Sequence, residues 1–543
     1  MSFRSKIILA KNIKLDRDYN NVLSYSENDM LTLVNANKIA VADDYSFIRP
    51  TKNRISTHFL YDTVLQCNYI AFQNKDYSNK WFFAWIDEVI FKNEGTTEIV
   101  FTVDEWSTWF DYWTKKACFV VREHVNNDTI GLHTVPENLS VEEVKAESVD
   151  EYTSFSDCYI AILSTYNLSD AKLQDGSSWV SVSSFPGPGV YNGQVFGDTI
   201  FLFDSIVEFR MFIENINTEA HTGDISAVCM IPKNIFTAND LNKYRSYYEI
   251  SPGTSTPFYY YKPKNSTSIY TGSKTIHKTT SFTGVTIKNN KCYTYPYNYL
   301  YVTNNVGNDN IFKYEDFSTS NVVFDLEFSV SVGCSGRFVT KNYKGVTSNY
   351  TESIIVPKFP TCSWSSDAFT NWLTQNAVNI PTQISNIGVN TASAIGSVAT
   401  GNVAGGIMGL VSTSNSIAGL VGQFYQASLL PAIKQGSNNA DINYTASKNK
   451  IQFYHMRAKN EYITIIDDYF SRYGYKVNTT KQPNITGRTY WNYVEIAPTE
   501  EIGYGEVPSI SMQTINNACR KGVTIWHDHS NLGNYSLTNS IVT

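Results

Sequence analysis

WFFAWIDEVIFKNEGTTEIVFTV, residues 81–103, reads as two strands about one turn. Trp81-Phe82-Phe83-Ala84-Trp85-Ile86 and Glu98-Ile99-Val100-Phe101-Thr102-Val103 are rich in aromatic and β-branched residues, the types that fit a pleated surface. Between them Lys92-Asn93-Glu94-Gly95 supplies turn chemistry, so a hairpin is expected. Beyond it, residues 104–110 predict a short helix with Asp104 as its N-cap, and Cys118-Phe119-Val120-Val121 a further strand.

The composition extends this reading to the whole chain. It has 543 residues, a formal net charge of −7, 37 Tyr and 30 Phe. That length exceeds what one core organises, so two or more lobes are expected, mainly β with a few helices. Net negative charge argues against a dedicated nucleic-acid binder, which would carry a basic patch. The eight cysteines are scattered without a Cys-x-x-Cys pair and read as free, mostly buried thiols. No secretory leader is expected, because Ile7-Ile8-Leu9-Ala10 is too short for an apolar core. Nor is a constitutive transmembrane span, since no run approaches ~18 apolar residues.

From about Val125 to Asn290 the texture changes to polar loops, including Asp175-Gly176-Ser177-Ser178, Phe185-Pro186-Gly187-Pro188-Gly189 and Ser251-Pro252-Gly253-Thr254. A loop-rich, outward-facing lobe is expected there, where recognition surfaces usually sit. Residues 285–293 predict a second hairpin turning at Asn289-Asn290. Strands are expected at 322–332 and 353–356, before Pro357 and Pro360 break the pattern. Near the C-terminus, Tyr462, Ile465, Ile466, Tyr469, Phe470 and Tyr473 recur at helical spacing, with Gly474 as the stop. A second helix is expected over 509–521, closed by Gly522, and Val523-Thr524-Ile525-Trp526 forms the last strand.

No residue set makes a credible active site. His527-Asp528-His529 is the nearest approach to a metal cluster, yet it lacks a third ligand and reads as hydrogen-bonding residues in a turn. Arg122-Glu123-His124 has the residue types for acid–base work, but a solvated strand end explains it more cheaply. No nucleophile elbow, phosphate loop or dinucleotide fingerprint appears. The expectation is therefore no catalytic residue, no metal and no cofactor.

One segment stands out. Ala368 to Ile433 contains no Asp, Glu, Lys or Arg, although charge is common on both sides. Its centre, Ile384 to Phe424, mixes Gly, Ala, Ser, Thr and Asn with aliphatic residues. Gly401, Gly405 and Gly409 make two overlapping Gly-x-x-x-Gly spacings, and Ala418 with Gly422 repeats the small-residue interval. Such spacing lets two helix backbones approach closely inside a bilayer. Ser, Thr and Asn interrupt the apolar residues too often for a permanent span, but they are tolerated in lipid where a charge costs ~2.5–3.5 kcal/mol. The segment suits a covered position in water and insertion on release. The membrane-active candidates are Ile384, Ile387, Gly388, Val389, Ile395, Gly396, Val398, Gly401, Val403, Gly405, Gly406, Ile407, Met408, Gly409, Leu410, Val411, Ile417, Gly419, Leu420, Val421, Gly422 and Phe424. Composition alone leaves a buried helical hairpin or a Gly/Ser-rich loop as the plainer alternative.

Two blocks of sequence carry a family resemblance. The N-terminal one is Tyr69-Ile70-Ala71-Phe72-Gln73-Asn74, Asp76-Tyr77, Asn79-Lys80-Trp81-Phe82, Phe91-Lys92-Asn93, Val103-Asp104, Trp109 and Val121-Arg122-Glu123-His124-Val125. The C-terminal one is Tyr473-Gly474-Tyr475-Lys476-Val477, Pro483-Asn484, Asn492-Tyr493-Val494, Gly522-Val523-Thr524-Ile525-Trp526-His527 and Gly533-Asn534-Tyr535-Ser536. In the same order they resemble the distal tail-knob proteins of small, phi29-like podoviruses of Gram-positive bacteria. The resemblance implies a virion protein with a β-rich tail-tube domain that forms a hexameric ring. It further implies that a hydrophobic loop from each subunit plugs the lumen, then leaves it to form a pore in the host cell membrane for DNA ejection. Implied partners are copies of the chain, the proximal tail tube or connector proteins, the host membrane, and viral DNA in transit without sequence-specific binding. On this basis residues 1–125, 291–367 and 434–543 are expected to build the tube domain, 126–290 an outer lobe and 368–433 the plug. The competing reading is an adhesin that binds cell-wall carbohydrate through Trp179 and Phe258-Tyr259-Tyr260-Tyr261. A cell-wall hydrolase lacks its catalytic constellation.

Overall fold

Strand Trp81–Asn93 runs into strand Thr96–Val103 across the two residues Glu94 and Gly95, with Asn93 opposite Thr96. The Gly95 N–H donates to Asn93 Oδ1 at 2.9 Å and tightens the turn. Phe83 and Trp85 enter one apolar core, while Ala84 and Ile86 enter another on the opposite side. Burial on both faces is why this strand reads as a continuous apolar run rather than an alternation.

The computed structural model describes residues 5–45, 53–74, 79–153, 157–164, 172–175, 178–181, 190–191, 194–195, 199–218, 225–233, 236, 241–251, 254–263, 270–305, 307–329, 335–356, 361–364, 436–439 and 450–542. The uncharged segment and all its membrane-active candidates lie outside the described residues. The fold is mainly β with a few helices, in two compact units.

The first unit comprises residues 1–144, 281–297 and 458–543. Its six-stranded antiparallel sheet has the order Lys38–Tyr45, Ser5–Ala10, Tyr69–Asn74, Trp81–Asn93, Thr96–Val103, Arg54–Thr57. A five-stranded sheet joins distant parts of the chain in the order Asn21–Leu23, Val523–Trp526, Trp491–Ile496, Cys118–Glu123, Tyr475–Lys481. Asp104 caps the helix Glu105–Trp109 by accepting the Ser107 N–H at 3.1 Å. Helix Ser509–Lys521 ends at Gly522 and strand Val523–Trp526 follows, as the sequence predicts. Cys67, Cys118, Cys292 and Cys519 are buried free thiols.

Two local expectations are corrected here. Residues 285–293 do not turn as a hairpin at Asn289-Asn290; Asn290–Tyr293 is a 3-10 helix. The Lys288 and Asn289 N–H groups donate to Asp467 at 3.0 and 2.9 Å, and Asn290 N–H to Asp128 at 2.9 Å, so remote carboxylates replace a strand partner. Helix Asn460–Tyr473 forms, but it buries Ile463, Ile466, Asp467 and Phe470, leaving Ile465 67% exposed. Asp467 takes a buried place that the apolar pattern could not assign to it.

The second unit comprises residues 145–280 and 298–457. The stretch rich in turn-forming dipeptides supplies most of a nine-stranded sheet, ordered Ser178–Ser181, Lys172–Asp175, Leu241–Ser251, Thr254–Pro263, Thr199–Phe203, Cys158–Ser164, Ile225–Pro232, Thr361–Trp364, Gly436–Asn439. Helix Ile206–Thr218 packs on it, Phe212 meeting Phe201 and Phe203 with ring centres 4.9 and 5.0 Å apart. A four-stranded sheet holds Tyr270–His277, Asn321–Ser329, Ser335–Tyr343 and Val346–Ile355. Phe324, Leu326 and Phe338 from this sheet share the core of the nine-stranded one.

Candidate functional site

Two places bear on function: the strands that flank the uncharged segment, and the spot where the N- and C-terminal motifs meet. Strand Thr361–Trp364 enters the segment and strand Gly436–Asn439 leaves it. They pair antiparallel through Thr361↔Asn439, Cys362↔Asn438, Ser363↔Ser437 and Trp364↔Gly436. Opposed Cα atoms in such a pair lie about 5 Å apart, so the segment starts and ends at one point. Thr361–Trp364 is in turn paired with Ile225–Pro232 through Ala227↔Ser363, Val228↔Cys362 and Cys229↔Thr361. The two strands form a stem at one end of the nine-stranded sheet. Among the described residues, no helix is long and apolar enough to cross a membrane.

Arg122, Glu123 and His124 are 3%, 0% and 1% exposed, so the expected solvated strand end is wrong. Partners far along the chain replace water. Arg122 Nη1 donates to the Gly474 carbonyl at 2.8 Å, and its guanidinium lies 5.0 Å from the Tyr469 ring centre. Its other end pairs with the Glu137 carboxylate, which also takes the Lys291 ammonium and the Lys476 N–H at 2.9 Å. Glu123 pairs with Lys481 and accepts the Asn484 N–H at 2.8 Å. His124 Nδ1 accepts the Tyr493 N–H at 2.8 Å, which leaves Nε2–H to donate to the Ser471 carbonyl at 3.1 Å. Burial, then the nearby Arg488 guanidinium, pushes the His124 imidazole down to about 3.

Gly474 sits at φ +65°, and a Cβ there would overlap the Glu123 carbonyl. Only glycine permits this approach of helix end to strand. Burial raises the Asp128 carboxyl, which accepts the Tyr475 hydroxyl at 2.7 Å. Burial also lowers the Lys291 ammonium. The motifs at the two ends of the chain thus converge on one buried polar knot. Its groups are spent on one another, so it fastens chain segments and exposes no reactive atom. Glu137, Lys291, Asp128 and Asp467 belong to the knot, and no local sequence signal marks them.

His527-Asp528-His529 is a turn, as expected. Asp528 caps the 3-10 helix His529–Asn531 by accepting the Ser530 N–H at 2.9 Å. The His527 ring bridges Ser24 Oγ and Asn492 Oδ1 at 2.8 and 3.0 Å, while His529 accepts the Lys14 N–H at 3.3 Å. The two imidazoles serve separate partners. No group of metal-holding side chains occurs among the described residues.

Comparison with known proteins places this geometry. The family model for the C-terminal domain of the Bacillus phage phi29 tail knob protein gp9 matches residues 257–540. The model for the caudoviral major tail protein N-terminus matches residues 3–114. The chain is 25% identical to tail knob protein gp9 of Bacillus phage phi29, over 91% of this chain and 90% of that protein. It is 24% identical to tail knob protein gp9 of Bacillus phage B103, over 98% of each. Among solved structures it resembles the bacteriophage C1 tail knob protein gp12, with TM-score 0.62 and 14% identity over 99% of this chain and 100% of that one. That last likeness is one of fold.

Proposed function

The chain belongs to the phi29 gp9 family of phage tail knob proteins, and from that premise we propose that it is the DNA conduit and membrane-penetrating tip of a short tail. As a tail knob it is a structural component of the virion tail. In the proposed assembly six copies form a tube at the distal end, continuous with the proximal tail tube, and the protein has no enzymatic role. The unit of residues 1–144, 281–297 and 458–543 is taken as the tube domain and the unit of residues 145–280 and 298–457 as the outer lobe, because boundaries at 290, 367 and 434 would divide the nine-stranded sheet and its core between two domains. Residues 368–433 close the lumen, and Ile384 to Phe424 enter the host membrane on release.

The stem carries this reading. A segment that starts and ends at one pair of opposed residues, Trp364 and Gly436, can leave its resting place with no strand of the sheet moving. The segment's lack of charge makes lipid an acceptable destination, since each buried charge would cost ~2.5–3.5 kcal/mol there. The net charge of −7 suits a conduit, because an acidic wall repels phosphate and does not retain the DNA.

A peptide spanning Asn379 to Ile433 should release dye from liposomes, and particles whose tail knob lacks that segment should assemble but fail to eject DNA. Intact vesicles together with normal ejection would sink the pore role. Negative-stain images of the purified protein should show six-fold rings; a field of monomers would sink the tube.

A further inference from the structure

A second four-stranded sheet, ordered Val144–Tyr152, Ile451–Ala458, Asn298–Thr303, Asp309–Phe312, has two unlike edges. Strand Asp309–Phe312 anchors itself by burying Phe312 completely in the core of the second unit. Strand Val144–Tyr152 buries none of its residues. An edge strand ordinarily stays in place by packing alternate side chains on a core. This one is held by other means.

Charge holds it. Glu147 Oε2 accepts from Arg457 Nε at 2.6 Å and covers a fully buried guanidinium. Asp150 accepts from His455 Nε2 at 3.2 Å and from the Lys274 ammonium at 3.5 Å. His455 Nδ1 takes the Tyr314 hydroxyl at 2.6 Å, which leaves Nε2–H as the donor. Glu151 accepts from Lys450 at 2.9 Å and from Gln452 at 3.1 Å. Just before the strand, Glu143 pairs with Lys459, and its carbonyl accepts the Lys459 N–H at 3.1 Å. Read along the strand, Glu143, Glu147, Asp150 and Glu151 thus meet Lys459, Arg457, His455 and Lys450 in antiparallel order.

The Glu143, Asp150 and Glu151 carboxylates are each partly open to water. Ion pairs of that kind are weak singly and are screened by salt. At the far end the Tyr152 ring meets the Phe338 ring, centres 4.9 Å apart, and ties that end to the core. We propose that Val144–Tyr152 is a salt-sensitive strap, which leaves the sheet as one element about its Tyr152 end while the other three strands stay paired. Low burial and a row of screened contacts are what local opening of this kind requires. Release frees the stretch by which the chain passes from Val144 into the second unit and bares the Arg457 edge of strand Ile451–Ala458. A frayed edge held by backbone bonds alone would be indifferent to ionic strength, whereas a strap latched by charge is not. The strap works in the same way whether or not the chain forms a tube.

Hydrogen exchange of the full-length protein, read by mass spectrometry, tests the latch with strand Asp309–Phe312 as internal reference. Between about 0.1 and 1 M NaCl the screening length falls from about 10 to about 3 Å. Exchange over residues 144–151 should then quicken by roughly tenfold, against less than about twofold in the reference strand. Asp150→Asn combined with Glu151→Gln should quicken it already at low salt and remove most of the salt response, since Glu147 still covers Arg457. If that double variant alters the circular dichroism spectrum, Lys450→Gln, which changes the cationic side of the latch alone, decides. Any of three results would overturn the strap: both edge strands answering salt alike, the decisive variant exchanging like the parent, or strands Ile451–Ala458 and Asn298–Thr303 opening together with it.

Discussion

His124 can be neutral at the centre of a charged cluster because its two nitrogens have one donor and one acceptor to satisfy, the Tyr493 N–H and the Ser471 carbonyl. In the unfolded chain an imidazole titrates near 6.5, whereas in the fold burial and then Arg488 push it down to about 3. Between those values the unfolded state binds the proton and the native state does not. Stability due to this residue is therefore complete above about pH 6.5 and falls as pH drops toward 3, by up to about 1.4 kcal/mol per pH unit. Urea unfolding at pH 7.5, 6.0 and 5.0 checks it. His124→Asn should be less stable than the parent at pH 7.5 by ~1–3 kcal/mol, through the lost hydrogen bond, yet show a shallower decline on acidification. Parallel declines would mean that the imidazole is not held neutral.

At the level of elements, what sequence could show depended on where the deciding partner lies. The hairpin of residues 81–103, the Asp104 cap and the helix 509–521 carry their signals within a few residues and form as read. The Asn289-Asn290 turn does not, because its deciding carboxylates, Asp128 and Asp467, stand more than 150 residues away. Charge in Arg122-Glu123-His124 suggested solvent for the same reason: Glu137, Gly474 and Tyr493 are invisible from the strand itself. The stem strand Gly436–Asn439 has almost no β-propensity and exists through pairing with Thr361–Trp364. Composition alone, by contrast, marked the uncharged segment. Helix Asn460–Tyr473 was legible as a helix but not in its rotation, which yields a direct contrast. Ile466→Ala should cost ~2–5 kcal/mol in chemical denaturation, whereas Ile465→Ser, one residue away and 67% exposed, should stay within about 0.5 kcal/mol. Equal costs would place both side chains on the packed face.

Each of the two units is assembled from chain segments far apart in sequence, so neither can be read as a contiguous stretch. The uncharged segment enters this arrangement through one two-stranded stem, and that geometry separates two accounts of it. If the segment helped to fill the core of the second unit, removing it would expose apolar surface and lower the thermal midpoint. If the stem only holds its ends, replacing residues 365–435 by Asn-Gly between Trp364 and Gly436 should leave the nine-stranded sheet intact, since these two residues are already opposed in register. Asn-Gly is the two-residue connection that such a pair prefers. Closing a long loop costs about 0.6 kcal/mol per doubling of its length, and the exchange spans roughly five doublings, so a gain of up to about 3 kcal/mol is expected. Circular dichroism should keep its β signal and calorimetry should show an unchanged or higher midpoint. A midpoint several degrees lower would assign the segment to the core of the fold, and its departure from the resting state would then have to carry the cost of unpacking that core.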